Sequence, residues 1–295
     1  MKLGLLGGTG QVGRELLRAA TRRQIQIDAP TSKVANLVDL KSLETWVQSN
    51  NFDFLVNCAA YTDVVGAESD PELAFQINEQ GIRNLATAAS EADIPVIHLS
   101  TDYVFDGTKG EPYVESDLPN PINVYGASKL AGERVLLEAC PNSLILRVSL
   151  VFSPWGNNLV KTLVRKCMQG EQLKLVGDNS GGPCGASAVA ESILVILAGY
   201  PRKKQTIYHF CTHPLVSTYE FGSEVVETCY QLGLIKEAVS MATVSSADYF
   251  STVQRPLNSG LLSEYLQPEF GIRSHDWHTD LTNTISEMMA SHASR

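Results

Sequence analysis

The sequence has no run of five or more basic residues, no Cys-x-x-Cys pair, no His/Cys spacing suited to a metal, and no apolar stretch long enough to cross a bilayer. Each absence removes a class of function. With 32 acidic against 23 basic side chains, for a formal net charge of -9, neither nucleic acid nor an anionic membrane is an expected partner. A small anionic ligand is still admissible, because a local cluster of donors holds an anion whatever the net charge. The six cysteines, Cys58, Cys140, Cys167, Cys184, Cys211 and Cys229, read mostly as reduced, buried, small apolar residues of a cytosolic protein. Neither the opening "MKLGLLGGTG" nor "ILVILAGY" from Ile193 reads as a signal peptide or membrane span, so the cytoplasm is the expected location. No tandem repeat or low-complexity linker interrupts the chain.

At 295 residues and 44% hydrophobic, the chain can bury one large core or two fused lobes. Short apolar, β-branched segments alternate with helical patterns through the first half, which is the pattern of a parallel sheet covered by helices. "KLGLL", "QIQID", "DFLVNCAA", "IPVIHLSTDYVF" and "SLILRVSLVF" read as strands. "QVGRELLRAATRR", "PELAFQINEQGIRNLATAASEA" and the segment holding Tyr125 read as helices. The expected fold is α/β: a Rossmann-like doubly wound sheet over residues 1–152, with 153–295 forming mainly a smaller substrate-binding lobe. Some segments are expected to exchange between the lobes.

"GGTGQVG" sets Gly7, Gly10 and Gly13 three apart between the first strand and a helix. Such a turn is tight, and its backbone must approach a pyrophosphate without Cβ atoms in the way. A lone glycine pattern is weak evidence, but the strand-loop-helix setting makes it a dinucleotide site. Asp28 ends the second strand about 20 residues on, where an acid usually takes ribose hydroxyls. It reads equally as a turn aspartate, and nearby Lys33 is placed to meet a 2′-phosphate, so NADH and NADPH both fit. Asp39 is placed to close over the adenine edge.

"YGASK" puts Tyr125 and Lys129 at i, i+4 on one helix face. Most isolated matches of this kind are solvated contacts. Here the pair follows the fourth strand, where the nicotinamide end of a dinucleotide lies in this fold. A phenol with its usual pKa of about 10 is too weak an acid to exchange protons readily at neutral pH. An ammonium one turn away, together with oxidised nicotinamide, favours the phenolate. Tyr125 can then protonate a carbonyl oxygen as hydride arrives at carbon, while Lys129 tunes Tyr125 and holds the ribose. Thr101, in "HLSTDYVFDG", ends the fourth strand at the ligand crevice and can position the substrate oxygen.

Together "GGTGQVG", "STDYVFDG" and "YGASKLAGE" resemble the extended short-chain dehydrogenase/reductase superfamily and, within it, the dTDP-4-dehydrorhamnose reductase family. "VNCAAYT", "AESDPELAFQIN", "GNNLVKTLVR" and "QRPLNSGLL" extend the resemblance over nearly the whole chain. It implies Thr101, Tyr125 and Lys129 as the catalytic set. It implies cofactor contacts at Gly10, Gln11, Val12, Asp39, Leu40, Ala59, Ala60 and Tyr61, and substrate contacts at Thr101, Asp102, Tyr103 and Tyr125. The implied reaction reduces the C4 ketone of dTDP-4-dehydro-β-L-rhamnose with NADPH or NADH. Nucleotide-sugar 4,6-dehydratases usually carry an acid pair after the threonine; here Asp102 is followed by Tyr103, which favours simple reduction.

The chain departs from the family pattern at Leu150, at Val65 and Gly66, and at Asn179 and Cys184, positions expected to border the substrate sugar. A reductase forming another deoxyhexose, such as 6-deoxy-L-talose, is therefore an alternative. So is a regulatory subunit resembling that of methionine adenosyltransferase, although the retained Thr101, Tyr125 and Lys129 speak for turnover. Some relatives hold Mg²⁺ through glutamates at a homodimer interface. Glu15 and Glu287 occupy matching positions, but Ser187 stands where a third carboxylate is expected, so no metal is assigned.

Overall fold

The strand segments assemble, in the computed structural model, into a six-stranded parallel sheet; residues 1–237, 239–249 and 252–293 are described. The strands of the first half are β1 (Lys2–Leu6), β2 (Gln26–Asp28), β3 (Phe54–Asn57), β4 (Val96–Thr101) and β5 (Leu144–Val148). Four short strands follow: β6 (Val151–Phe152), β7 (Leu173–Val176), β8 (Cys184–Gly185) and β9 (Ile207–His209). The sheet order is β2-β1-β3-β4-β5-β9. Every residue of β4 and β5 is buried, as expected of strands covered on both faces. The chain direction of strand addition reverses between β1 and β3, so a crevice opens beyond Leu6, Asn57 and Thr101 at their carboxyl ends.

One face of the sheet is covered by α1 (Gln11–Arg22) and α8 (Ala186–Ala198), whose Leu16, Ala19, Val189 and Ile193 pack on Leu3, Leu5 and Leu146. On the other, α2 (Leu40–Gln48), α5 (Gly81–Glu91) and α6 (Val124–Ala139) bring Leu43, Trp46, Ile82, Leu85 and Leu136 against Leu55, Val96 and Ile145. Between β3 and α5 lie α3 (Val64–Ser69) and α4 (Pro71–Phe75). The continuous helix expected over "PELAFQINEQGIRNLATAASEA" is broken by a π turn at Gln76–Gln80. There Asn78 Oδ1 accepts from Tyr61 N at 2.8 Å, and Asn78 Nδ2 donates to Tyr61 O and Ser128 Oγ.

The smaller lobe is built from α7 (Leu159–Met168), α9 (Thr218–Gln231), β11 (Met241–Val244) paired parallel with β7, and α12 (His278–Ala293). Phe152, Leu163, Phe221, Val225, Trp277 and Ile285 form its core. The short strands β10 (Thr212–His213) and β12 (His275–Asp276) pair with each other, and α10 (Ser246–Tyr249) and α11 (Leu266–Phe270) complete the elements. A boundary at residue 152 divides the chain but not the molecule. Both α8 and β9 come from the second half, yet α8 lies on α1 and β9 extends the main sheet beside β5. Among the described residues no helix is long and apolar enough to cross a membrane.

Candidate active site

The glycine loop is shaped by close backbone approach. Gly7 has φ +78, and a Cβ there would meet Ala59 N at 2.6 Å; a Cβ on Gly13 would lie 2.2 Å from Gly7 O. Gly10 caps α1 without a side-chain hydrogen bond, so the first N–H groups of the helix point toward the crevice with its partial positive charge. These features fit a pyrophosphate. The other expected cofactor residues divide into two groups. Val12 is buried in the core, which leaves its backbone as the part that can meet a ligand. Gln11 is spent on the second lobe: its Oε1 accepts from Ser153 Oγ at 2.9 Å and Asn158 Nδ2 at 2.8 Å. Asp28 Oδ2 accepts from Trp46 Nε1 at 2.6 Å, which pins one carboxylate oxygen. Asp39 is the N-cap of α2, accepting from Ser42 N, and Leu40 opens that helix. Ala59, Ala60 and Tyr61 follow β3, where Asn57 and Asn78 fix the backbone of Ala59 and Tyr61.

Thr101, Tyr125 and Lys129 are brought to one place by β4 and α6. The helix starts at Val124 because Asn123 Oδ1 accepts from Gly126 N at 2.8 Å and Glu68 Oε1 accepts from Val124 N at 2.7 Å. Gly126 lets this turn lie against the chain: a Cβ would sit 2.1 Å from Tyr103 O. The Tyr125 phenol lies beside the Thr101 side chain. Burial raises the phenol above its usual range, and the Thr101 hydroxyl only partly opposes this. The lowering expected from Lys129 does not appear in the protein alone, where burial dominates. Lys129, 2% exposed, donates from Nζ to Leu99 O at 2.7 Å and lies 3.2 Å from His98 Nε2. Burial lowers it to about 8, with Glu133 and Cys58 acting in the opposite direction.

Asp102 is turned inward rather than toward a substrate, and is 3% exposed. Its Oδ1 accepts from Thr101 Oγ1 at 3.0 Å and its Oδ2 from Ser149 Oγ at 2.7 Å; burial nevertheless raises the carboxyl. Its side chain therefore orients Thr101. Tyr103 faces Tyr125 edge-on, with ring centroids 5.8 Å apart, and has the Arg255 guanidinium close to its phenol. Asn57, Asn78, His98, Ser149 and Arg255 are the parts of the site that sequence reasoning missed. The first four are polar residues at or beside apolar strand and helix segments, where pattern alone assigns no partner.

A family model, the RmlD substrate binding domain, matches residues 1–290. The chain belongs to the RmlD family. Among its RmlD relatives, the dTDP-4-dehydrorhamnose reductase of Escherichia coli (strain K12) is 34% identical over 99% of this chain and 100% of that protein. The enzyme of the same name from Aggregatibacter actinomycetemcomitans is also 34% identical, over 96% and 97%. A solved dTDP-4-dehydrorhamnose reductase from Bacillus anthracis, in complex with NADP, superposes with a TM-score of 0.89 at 28% identity, covering 97% of this chain and 99% of that one.

Against the RmlD pattern, the departures fall unevenly. Leu150 is 40% exposed with φ +32, a side chain held out at the crevice end of β5. Gly66 makes room for the Tyr61 hydroxyl, which a Cβ would approach to 2.3 Å. Cys184 and Asn179, expected at the substrate, are placed otherwise. Cys184 is fully buried in β8, and Asn179 Oδ1 accepts from Thr218 N at the start of α9. Glu15, Ser187 and Glu287 do line one cavity, but a guanidinium lies between the acids. Arg18 Nη1 donates to Glu15 Oε1 at 3.1 Å and to Glu287 Oε1 at 2.8 Å. That cation supplies the charge and hydrogen bonds a metal would provide, so these residues do not fit Mg²⁺.

Proposed function

We propose that this chain reduces the C4 ketone of dTDP-4-dehydro-β-L-rhamnose to dTDP-L-rhamnose, with NADPH as reductant. The observation that carries this reading is that the Tyr125 phenol lies beside the Thr101 side chain at the carboxyl end of β4, with Lys129 one turn along the same helix. NADPH, when bound, supplies hydride to the ketone carbon. The backbone N–H groups of Gln11 and Val12 are left for the pyrophosphate, with Gly10 N held by Gly7 O at 2.9 Å and with Gly7 and Gly13 keeping the turn clear of Cβ atoms. Asp28 and Asp39 border the adenosine end, Leu40 opens the helix beside it, and Ala59, Ala60 and Tyr61 border the crevice. Tyr125 protonates the ketone oxygen, so that carbon gains hydride and oxygen gains a proton. Its raised phenol keeps that proton in place until negative charge develops on the oxygen. Thr101 and Tyr103 hold the sugar, Asp102 orients Thr101, and Lys129 lies behind Tyr125.

The NADPH assignment draws support from the Bacillus anthracis relative solved with NADP. Asp102 followed by Tyr103 provides no second carboxylate for elimination, which supports reduction over dehydration. Purified protein given dTDP-4-dehydrorhamnose should consume NADPH, followed by loss of cofactor absorbance, and release dTDP-L-rhamnose by product NMR. No consumption above blank with either NADPH or NADH overturns the assignment.

A further inference from the structure

His98 is fully buried in the middle of β4, with one ring nitrogen against Asn57 and the other against Lys129. The orientation of Asn57 is set by the backbone of Ala59. Ala59 N donates to Asn57 Oδ1 at 3.1 Å, so the oxygen faces that N–H, and Asn57 Nδ2 donates to Ala59 O at 3.2 Å. Its second N–H then points at His98 Nδ1, 2.9 Å away. A donor at that distance needs a lone pair, so Nδ1 carries no proton. The neutral ring accordingly has its proton on Nε2, directed at Lys129 Nζ.

At 3.2 Å an ammonium, which has only donors, would meet that N–H donor to donor. A neutral amine has a lone pair for it. One amine hydrogen then goes to Leu99 O, and the other is left for the crevice. We propose that Asn57 locks His98 in the Nε2–H tautomer, and that His98 thereby donates to Lys129 and favours the amine over the ammonium. His98 is a positioning residue in this scheme, acting on the reaction through Lys129.

The charged surroundings do not reverse this. Glu133 lies one turn along α6 but is held by Arg147 of β5 through two hydrogen bonds, at 2.9 and 2.6 Å. Cys58, after β3, is a thiol that burial raises to about 12. Tyr125, on the same helix as Lys129, is raised by burial and stays a neutral phenol. Burial, the larger cause, holds His98 well below its usual range, so the ring is neutral as the hydrogen bonds require. The chain Gly7–Ala59–Asn57–His98–Lys129 also links the pyrophosphate loop to the lysine: the Ala59 backbone that forbids a Cβ on Gly7 is the one that orients Asn57.

The inference rests on the catalytic reading of Lys129, and its test separates the two. In full-length protein with isotope-labelled histidine, a long-range proton–nitrogen correlation reports which ring nitrogen is protonated, and His98→Gln identifies the signal among the six histidines. The expected result is a proton on Nε2 alone; a proton on Nδ1 overturns the proposal. A glutamine at 98 can turn its amide oxygen to the lysine and accept from the ammonium. The Lys129 titration, followed by its side-chain carbon shift and assigned with Lys129→Arg, should move up by about one pH unit or more. An unmoved titration also overturns the proposal. Near-normal turnover in Lys129→Met would instead overturn the catalytic role of the lysine, leaving the tautomer result intact.

Discussion

Tyr125 illustrates what a single residue owes to its surroundings. Its spacing from Lys129 was legible in "YGASK", and the pair does lie on one turn of α6. What spacing did not reveal is the sign of the effect: burial outweighs the nearby Thr101 hydroxyl and keeps the phenol protonated. Removing only the hydroxyl in Tyr125→Phe should leave NADPH affinity unchanged in a fluorescence titration and lower kcat by about 10²–10⁴. A variant with near-normal kcat would mean that another group protonates the ketone. The buried polar partners were less legible. Asn57 and His98 sit within "FLVN" and "VIHLST", where a strand pattern says only that they are inside; their roles depend on which strands are neighbours. Arg18 is similar. The two acids beside it can be found in the sequence, but the cation joining them appears only when α1 and α12 are packed.

Helices and strands with a clear period were read correctly, and their irregularities were not. α2 was not read from the sequence, although Asp39, accepting from the N–H three residues on, caps it. The π turn was missed because one extra residue in a turn hardly changes the apolar period over a long helix. Its cause lies on another element. Asn78 is drawn toward Tyr61 and Ser128, and α6 approaches so closely that a Cβ on Gly132 would lie 2.1 Å from Asn78 O. Gly132→Ala should therefore separate α6 from the π turn and cost about 1–3 kcal/mol, the usual range for overpacking. Urea denaturation measures this. A loss no larger than the few tenths typical of exposed sites would show that the turn yields without strain.

For the molecule as a whole, buried histidines tie stability to pH. His209 is held at about 3 by burial, aided by the nearby Arg147 guanidinium. Its folded pKa lies below the unfolded value near 6.5, so the unfolded chain binds the extra proton, and stability falls as pH drops from about 6.5 toward 3. By about pH 5 the loss from His209 alone is roughly 2 kcal/mol. Urea midpoints at neutral pH and near pH 5 should show this drop, and a smaller one in His209→Gln. An equal drop in the variant would assign it to other groups, the buried His98 among them. The α/β class was legible because the first half of the chain carries alternating strand and helix patterns. The return of α8 and β9 to the first lobe was not localised, since no local signal names a strand's neighbour. That return also governs synthesis. When residue 152 leaves the ribosome, β5 is still an open edge and the side of α1 that α8 covers is bare. A nascent chain in this state presents a surface suited to chaperones or to aggregation until Ile207–His209 emerges. The first half should thus be insoluble when expressed alone.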